Sequence, residues 1–256
     1  MPVLDTTQAH VWLARPEDWE APEWRNALEA LLSPEERAAR GRFRFAPDQQ
    51  LYRVAHAMVR TGLSHYEPQR RPEDWSFVVN AYGRPDVSEG LAPGLSFNLS
   101  HTSGLVACAF TRGAPVGVDV EFVDRKSATS DIADRFFAQS EVEALRRLAP
   151  NLQRSRFFDY WTLKESYIKA RGRGLSLPLG KFAFTLASGQ TPTIEIDPSL
   201  EDESTAWQFA LHSPTPKHRL AVAVGRGRGP DRAVQRFWVA PQTGTAAPTW
   251  QPQPES

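Results

Sequence analysis

One order of elements runs through this sequence twice, and that repetition constrains the fold more than any single motif. The first pass has a candidate strand over 11–14, then a helix opening at Ser33-Pro34-Glu35-Glu36, with Ser as N-cap, Pro at the first helical position and Glu in the first turn. A second helix is expected over about 48–65, followed by strands over 76–79, 95–99 and 105–110. The second pass starts with a strand over 116–122. Helices follow at about 130–137, 140–148 and 154–171, then strands over 181–186, 207–211 and 220–224. Ser140-Glu141-Val142-Glu143 has the Ser and Glu spacing of a capping box. The order strand, helices, three strands, read twice, predicts an α+β chain of two similar α/β halves, 1–115 and 116–240. Coincidence within a single mixed domain is the competing reading, because the halves share element order and hardly any residues. The stretch 241–256, PQTGTAAPTWQPQPES, has almost no apolar periodicity and is expected to be a disordered tail.

Composition narrows the function. With 256 residues, 41% of them hydrophobic, the chain can bury one large core or two small ones. Its 30 basic and 30 acidic side chains balance, which argues against a dedicated nucleic-acid binder. The single cysteine, Cys108, excludes a disulfide framework and a Cys-rich zinc site. No run reaches the ~18 consecutive apolar residues of a membrane span. The first residues, MPVLDTTQAHVWLARPEDW, lack the apolar core of a signal peptide. A soluble, cytoplasmic protein without membrane or nucleic-acid partners is the expectation.

The chemistry is concentrated in a few runs. In a strand, side chains alternate, so Val116-Gly117-Val118-Asp119-Val120-Glu121 puts its valines on one face and Gly117, Asp119 and Glu121 on the other. Two carboxylates one strand repeat apart are roughly 6–7 Å from each other and can share a hard cation such as Mg²⁺. Gly117 beside them leaves room for a ligand to approach the backbone. The solvated face of a half-buried strand is the commoner outcome on spacing alone. In the helix 154–171, Phe157, Trp161 and Ile168 define an apolar face. Glu165 and Lys169 lie one turn apart, either as an ordinary surface pair or as a third carboxylate and a phosphate-binding ammonium. Asn98, Ser100 and His101 close a strand with donors suited to an anion or a cofactor, or simply to the turn backbone. His101 has no second His or Cys at zinc spacing. Arg84, between Gly83 and Pro85, suits a bidentate phosphate contact, or is merely solvated. No Walker or Rossmann glycine pattern is present.

Taken in order, Tyr82-Gly83-Arg84-Pro85, Phe97-Asn98-Leu99-Ser100-His101, the Val116–Glu121 run, the WTLKESYIK run from Trp161 to Lys169, and Gly172-Arg173-Gly174-Leu175-Ser176-Leu177-Pro178-Leu179 after it resemble the 4′-phosphopantetheinyl transferase family, in its large pseudodimeric (Sfp-type) class. The resemblance implies two α/β halves related by a pseudo-twofold, a monomer, with coenzyme A bound between them. It implies transfer of 4′-phosphopantetheine from coenzyme A to a serine of an apo acyl or peptidyl carrier protein, with release of adenosine 3′,5′-bisphosphate. Carried over by residue, Asp119, Glu121 and Glu165 would bind Mg²⁺, Lys169 would stabilise the leaving phosphate, and Glu165 is the candidate base. Arg84, Asn98, Ser100 and His101 would hold the nucleotide and its phosphates. The sequence departs from the family at Phe45-Ala46-Pro47-Asp48-Gln49-Gln50-Leu51, which lacks the basic residue found there; Arg44 and Arg53 are the nearby substitutes. A non-catalytic coenzyme A or carrier-binding module, and a different Mg²⁺-dependent phosphoryl-transfer enzyme, are the readings from other classes.

Overall fold

The computed structural model describes residues 3–124, 129–227, 229–241 and 251–254. In chain order the elements are β1 (Gln8–Ala14), α1 (Pro22–Leu31), α2 (Pro34–Arg40), α3 (Ala46–Tyr66), β2 (Phe77–Val79), β3 (Pro85–Val87), β4 (Leu95–Thr102), β5 (Leu105–Arg112), β6 (Val116–Phe122), α4 (Thr129–Phe136), α5 (Gln139–Arg146), α6 (Pro150–Arg171), β7 (Phe182–Thr185), β8 (Thr193–Ile196), β9 (Trp207–His212), β10 (His218–Gly225), β11 (Ala233–Ala240) and β12 (Gln251–Pro254). The mixture of helices and mainly antiparallel sheets is the expected α+β class. Among the described residues, no helix is long and apolar enough to cross a membrane.

Two units divide the chain: Met1–Val78 with Pro85–Gly113 and Ala233–Ser256, and Val79–Arg84 with Ala114–Arg232. This differs from the expected division into 1–115, 116–240 and a tail. β11 pairs in parallel with β1, from Gln8 opposite Ala233 to Leu13 opposite Trp238, so it joins the first unit's sheet. No local signal announces a partner more than 200 residues away. β12 pairs antiparallel with β11, so residues 251–254 form a strand where a disordered tail was expected. It is the edge strand of the sheet, where Pro252 and Pro254 are tolerated because one side of the ladder is not needed. Residues 242–250 and 255–256 lie outside the described residues.

In the first unit the strand order is β12-β11-β1-β5-β4. Helix α3 packs on it through Val54, Ala55, Met58, Leu63 and Tyr66, against Trp12, Phe97, Val106, Cys108 and Phe110. Ser33 caps α2 as expected: its Oγ accepts from the Glu36 amide at 3.2 Å, and its own amide donates to Glu36 Oε2 at 2.8 Å. Glu36 also accepts from Arg60 of α3 at 2.9 Å and lies 3.1 Å from His56 Nδ1. Burial alone would raise its pKa, but these hydrogen bonds hold the carboxyl at about 2.

The second unit has a three-stranded sheet, β6-β10-β9, and the β7–β8 hairpin. Its core holds Phe157, Phe158, Leu163, Tyr167 and Ile168 of α6 with Phe182, Phe184 and Phe209. Helix α6 is buried on most of its circumference, so the single apolar face read from Phe157, Trp161 and Ile168 was incomplete. The capping expected at Ser140 and Glu143 is displaced. The Ala138 amide donates to Glu141 Oε2 at 3.0 Å, and α5 starts at Gln139.

Candidate active site

The site is assembled by one close approach. A Cβ on Gly117 would lie 2.0 Å from the Ser166 carbonyl oxygen and 2.5 Å from the Ala170 nitrogen, both on the α6 backbone. No other residue fits. The space expected for a ligand beside Gly117 is therefore filled by the helix. On β10, Ala223 lies opposite Gly117 and Ala221 opposite Asp119, both fully buried. This run of minimal side chains lets α6 settle onto β6 and β10, and brings its Trp161, Glu165 and Lys169 stripe (i, i+4, i+8) to the strand's carboxylates.

The contacts are direct. Lys169 Nζ donates to Asp119 Oδ1 at 2.7 Å and to the Val118 carbonyl at 3.3 Å. Asp119 is 5% exposed, which makes the ammonium a partner in a low-dielectric setting rather than a surface ornament. Trp161 Nε1 donates to Glu121 Oε1 at 3.1 Å. Glu165 is half-buried between them, and its pKa is pushed up to about 7. Burial is the largest cause. The charges of Asp119 and Glu121 add to it, and Lys169 opposes. A carboxyl that titrates near neutrality can exchange a proton with a hydroxyl at physiological pH. The donor set is all carboxylate oxygen, the chemistry of a hard cation. Among the described residues, no group of three or more His, Cys, Asp and Glu is placed to hold a metal ion as it stands.

Arg84 belongs to the same unit. Its Nη1 donates to the Ala170 carbonyl at 3.2 Å, placing its charge at the C-terminal end of α6, the negative end of the helix dipole. Further along the β6 edge, Arg219, opposite Glu121 in register, donates to Asp159 Oδ1 at 3.0 Å.

Asn98, Ser100 and His101 do not share a strand end. β4 continues to Thr102, so Asn98 and Ser100 lie on one face and His101 on the other. Asn98 and Ser100 are buried at 5% and 7% exposure, and His101 is exposed. All three are in the first unit.

Two features escaped the sequence. Trp161 was read only as apolar, although its spacing from Glu165 already placed it on the site's face. Lys164, beside Glu165, is fully buried. It donates to Glu141 at 2.7 Å and to the carbonyls of Leu179 and Phe182 at 2.8 and 2.7 Å. Nothing in its charge distinguishes such a lysine from a solvated one until its partners are known.

A model of the 4′-phosphopantetheinyl transferase superfamily matches residues 115–224, the stretch that holds these carboxylates and α6. The chain is 31% identical over 202 residues to "4′-phosphopantetheinyl transferase Sfp" of Bacillus subtilis (strain 168), covering 79% of this chain and 86% of that one. It is 31% identical over 246 residues to "4′-phosphopantetheinyl transferase HetI" of Nostoc sp., covering 90% of this chain and 98% of that one.

Proposed function

The chain belongs to the 4′-phosphopantetheinyl transferase superfamily, in its Sfp-type class, and on that premise we propose that Asp119, Glu121 and Glu165 hold Mg²⁺ while Lys169 and Arg84 receive the phosphates of coenzyme A. The enzyme transfers 4′-phosphopantetheine from coenzyme A to an apo carrier protein. The serine oxygen forms a bond to phosphorus, the bond from that phosphorus to the bridging pyrophosphate oxygen breaks, and adenosine 3′,5′-bisphosphate leaves.

The observation that carries the site assignment is the convergence of three carboxyls and one ammonium where β6 meets α6, with Glu165 poised near neutrality. Each group has a role its chemistry suits. Glu165 is the acceptor proposed for the serine proton, a role open to a carboxylate; the cation it would help to hold would draw its pKa below the metal-free value of about 7. Lys169 neutralises charge that develops on the departing phosphate, from a half-buried position where the interaction is weakly screened. Arg84 supplies a second fixed positive charge by the end of α6. When bound, the cation would offset pyrophosphate charge and polarise its oxygens.

The test is the intact mass of an apo carrier after incubation with the enzyme, coenzyme A and Mg²⁺. The expected result is a carrier heavier by one phosphopantetheine and loss of the product when the cation is chelated. An unmodified carrier across acyl and peptidyl types would overturn the reading.

A further inference from the structure

Lys169 is bracketed on α6 by Tyr167 and Arg171, each two positions away and therefore on the far side of the helix from its ammonium. Both reach one carboxylate, Asp202, on the loop between β8 and β9. Tyr167 Oη donates to Asp202 Oδ2 at 2.6 Å. Arg171 Nη1 donates to the same oxygen, and to Tyr167 Oη at 2.9 Å. Trp207 Nε1, at the start of β9, donates to that oxygen as well, at 2.9 Å. Tyr167 is fully buried, with its ring edge-on to those of Phe182 and Trp207. The Asp202 and Arg171 side chains are only 14% and 12% exposed, so the charge between them is weakly screened. Burial, and then the bond to Asp202, raises the Tyr167 pKa, which keeps its hydroxyl a donor.

The carboxylate is aimed by its backbone. Asp202 follows Glu201, whose φ is +52° and ψ +47°; among the described residues it is the one non-glycine in the left-handed region. A side chain is disfavoured there, and the conformation persists because its surroundings enforce it. Leu200 beside it is buried, the Leu200 amide donates to the Asp197 carbonyl at 3.0 Å, and the Glu201 amide to that of Pro198 at 3.1 Å. Strain held in this way points to a side chain whose placement matters.

What it places is the end of α6. The last turn of a helix is the part that frays, because its final carbonyls lack partners within the helix. Lys169 lies in that turn, just before Gly172 ends α6. On its own side it is tied to Asp119 and the Val118 carbonyl. A phosphate that takes up the ammonium competes for those bonds, and the turn then depends on its opposite side.

We propose that Asp202 is a positioning residue for transfer: through Tyr167 and Arg171 it fixes the last turn of α6, so that Lys169 meets the departing phosphate at a set place. The proposal rests on the transfer reading. Asp202→Asn keeps the shape of the side chain and removes its charge. At temperatures well below its melting point it should lower kcat about tenfold and leave the KM for coenzyme A and for the carrier within about twofold, because an interaction made only as the phosphate leaves does not enter KM. Arg171→Met, which keeps the apolar stem, should act in the same direction and takes the place of Asp202→Asn should that variant fail to fold. Glu201→Val should reproduce the loss and Glu201→Gly should keep the wild-type kcat, since glycine accepts the left-handed backbone and a β-branched residue does not. The deciding measurement combines Asp202→Asn with Lys169→Ala, in single turnovers with enzyme in excess. There Asp202→Asn should lower the rate by less than about twofold, because the group it positions is gone.

A lower melting temperature with kcat and both KM values as in the wild type would make the cluster a structural staple and overturn the proposal. So would an about tenfold loss that persists in the Lys169→Ala background, since Asp202 would then act through another group. A wild type that yields no holo carrier would instead remove the transfer reading itself.

Discussion

The two halves repeat one topology and use it for opposite ends. In the first, β1, β5 and β4 lie side by side in that order with α3 on one face; in the second, β6, β10 and β9 do the same with α6. The layer between helix and sheet differs. In the first half Trp12 and Phe110 fill it, their rings 5.6 Å apart, and Tyr66 Oη accepts from Trp12 Nε1 at 2.9 Å. In the second half the corresponding strand carries Gly117, Asp119 and Glu121, and the adjacent strand offers Ala221 and Ala223. Aromatic bulk holds a helix on its sheet. Small residues let the helix come closer and leave what space remains to charged groups, which gain chemistry at the expense of burial energy.

The largest effect should come from emptying the two layers in turn. Trp12→Ala removes a fully buried indole and should cost about 3–5 kcal/mol, with transfer per folded molecule preserved. Glu165→Ala should do the reverse, abolishing transfer while the melting temperature moves little because it opens no apolar cavity; Asp119→Ala should abolish transfer and also lower the melting temperature, since it removes the buried carboxylate that Lys169 holds. Denaturant midpoints and initial rates on the same three variants decide it. Near-wild-type activity in either carboxylate variant would break the contrast and the metal assignment with it.

How much of this was legible beforehand depends on how local the cause is. The alternation in β6 and the Glu165–Lys169 spacing are set by backbone geometry within a few residues, and both elements appear where expected. The Ser33 cap is equally local. The partnership of β1 with β11, and of Lys164 with Glu141, depends on which distant segments meet, and period-two or period-3.6 patterns carry no such information. The Gly117 misreading is instructive. Gly117 was expected to leave room for a ligand at the backbone, and the α6 backbone occupies that room instead, which is a tertiary fact. For the strand at 251–254, composition reports the apolar area available for burial and is silent on main-chain pairing.

Two glycines sharpen the comparison. A Cβ on Gly117 meets α6 main chain, whereas one on Gly62 in α3 would lie 2.2 Å from the ring of Phe110. Main chain cannot step aside without moving the helix, so Gly117→Ala should cost about 3 kcal/mol or more and, by shifting Glu165 and Lys169, reduce transfer roughly a hundredfold. Gly62→Ala asks only a ring to repack. It should cost about 1–3 kcal/mol and leave transfer per folded molecule unchanged. Rates measured well below each variant's melting temperature separate the outcomes. Equal loss of activity in both would mean that the second half's helix has no special closeness to its sheet.

The smallest effect is also the most diagnostic, because the two layers should respond to pH in opposite directions. His10, fully buried, has its pKa lowered to about 4, chiefly by burial and then by His65, with Asp5 opposing. The unfolded chain takes up this proton near 6.5, so His10 stabilises the fold above that pH and the contribution is lost as pH falls toward 4. Glu165 runs the other way. Its proton is held to about pH 7 in the fold but only to about 4.5 when unfolded. Its contribution is complete below 4.5 and is lost as pH rises through 7. That interval corresponds to about 3 kcal/mol at most, and solvent at a half-buried carboxyl reduces it to about 1–2. Glu165→Gln keeps the shape and removes the charge. In Mg²⁺-free buffer its urea midpoint should match the wild type at pH 4.5 and exceed it at pH 8. Added Mg²⁺ should then raise the wild type at pH 8 and leave Glu165→Gln nearly where it was, a readout independent of activity. If the two proteins keep the same midpoint from pH 4.5 to 8, Glu165 carries no suppressed charge in the second half's layer, and its role as base loses its physical ground.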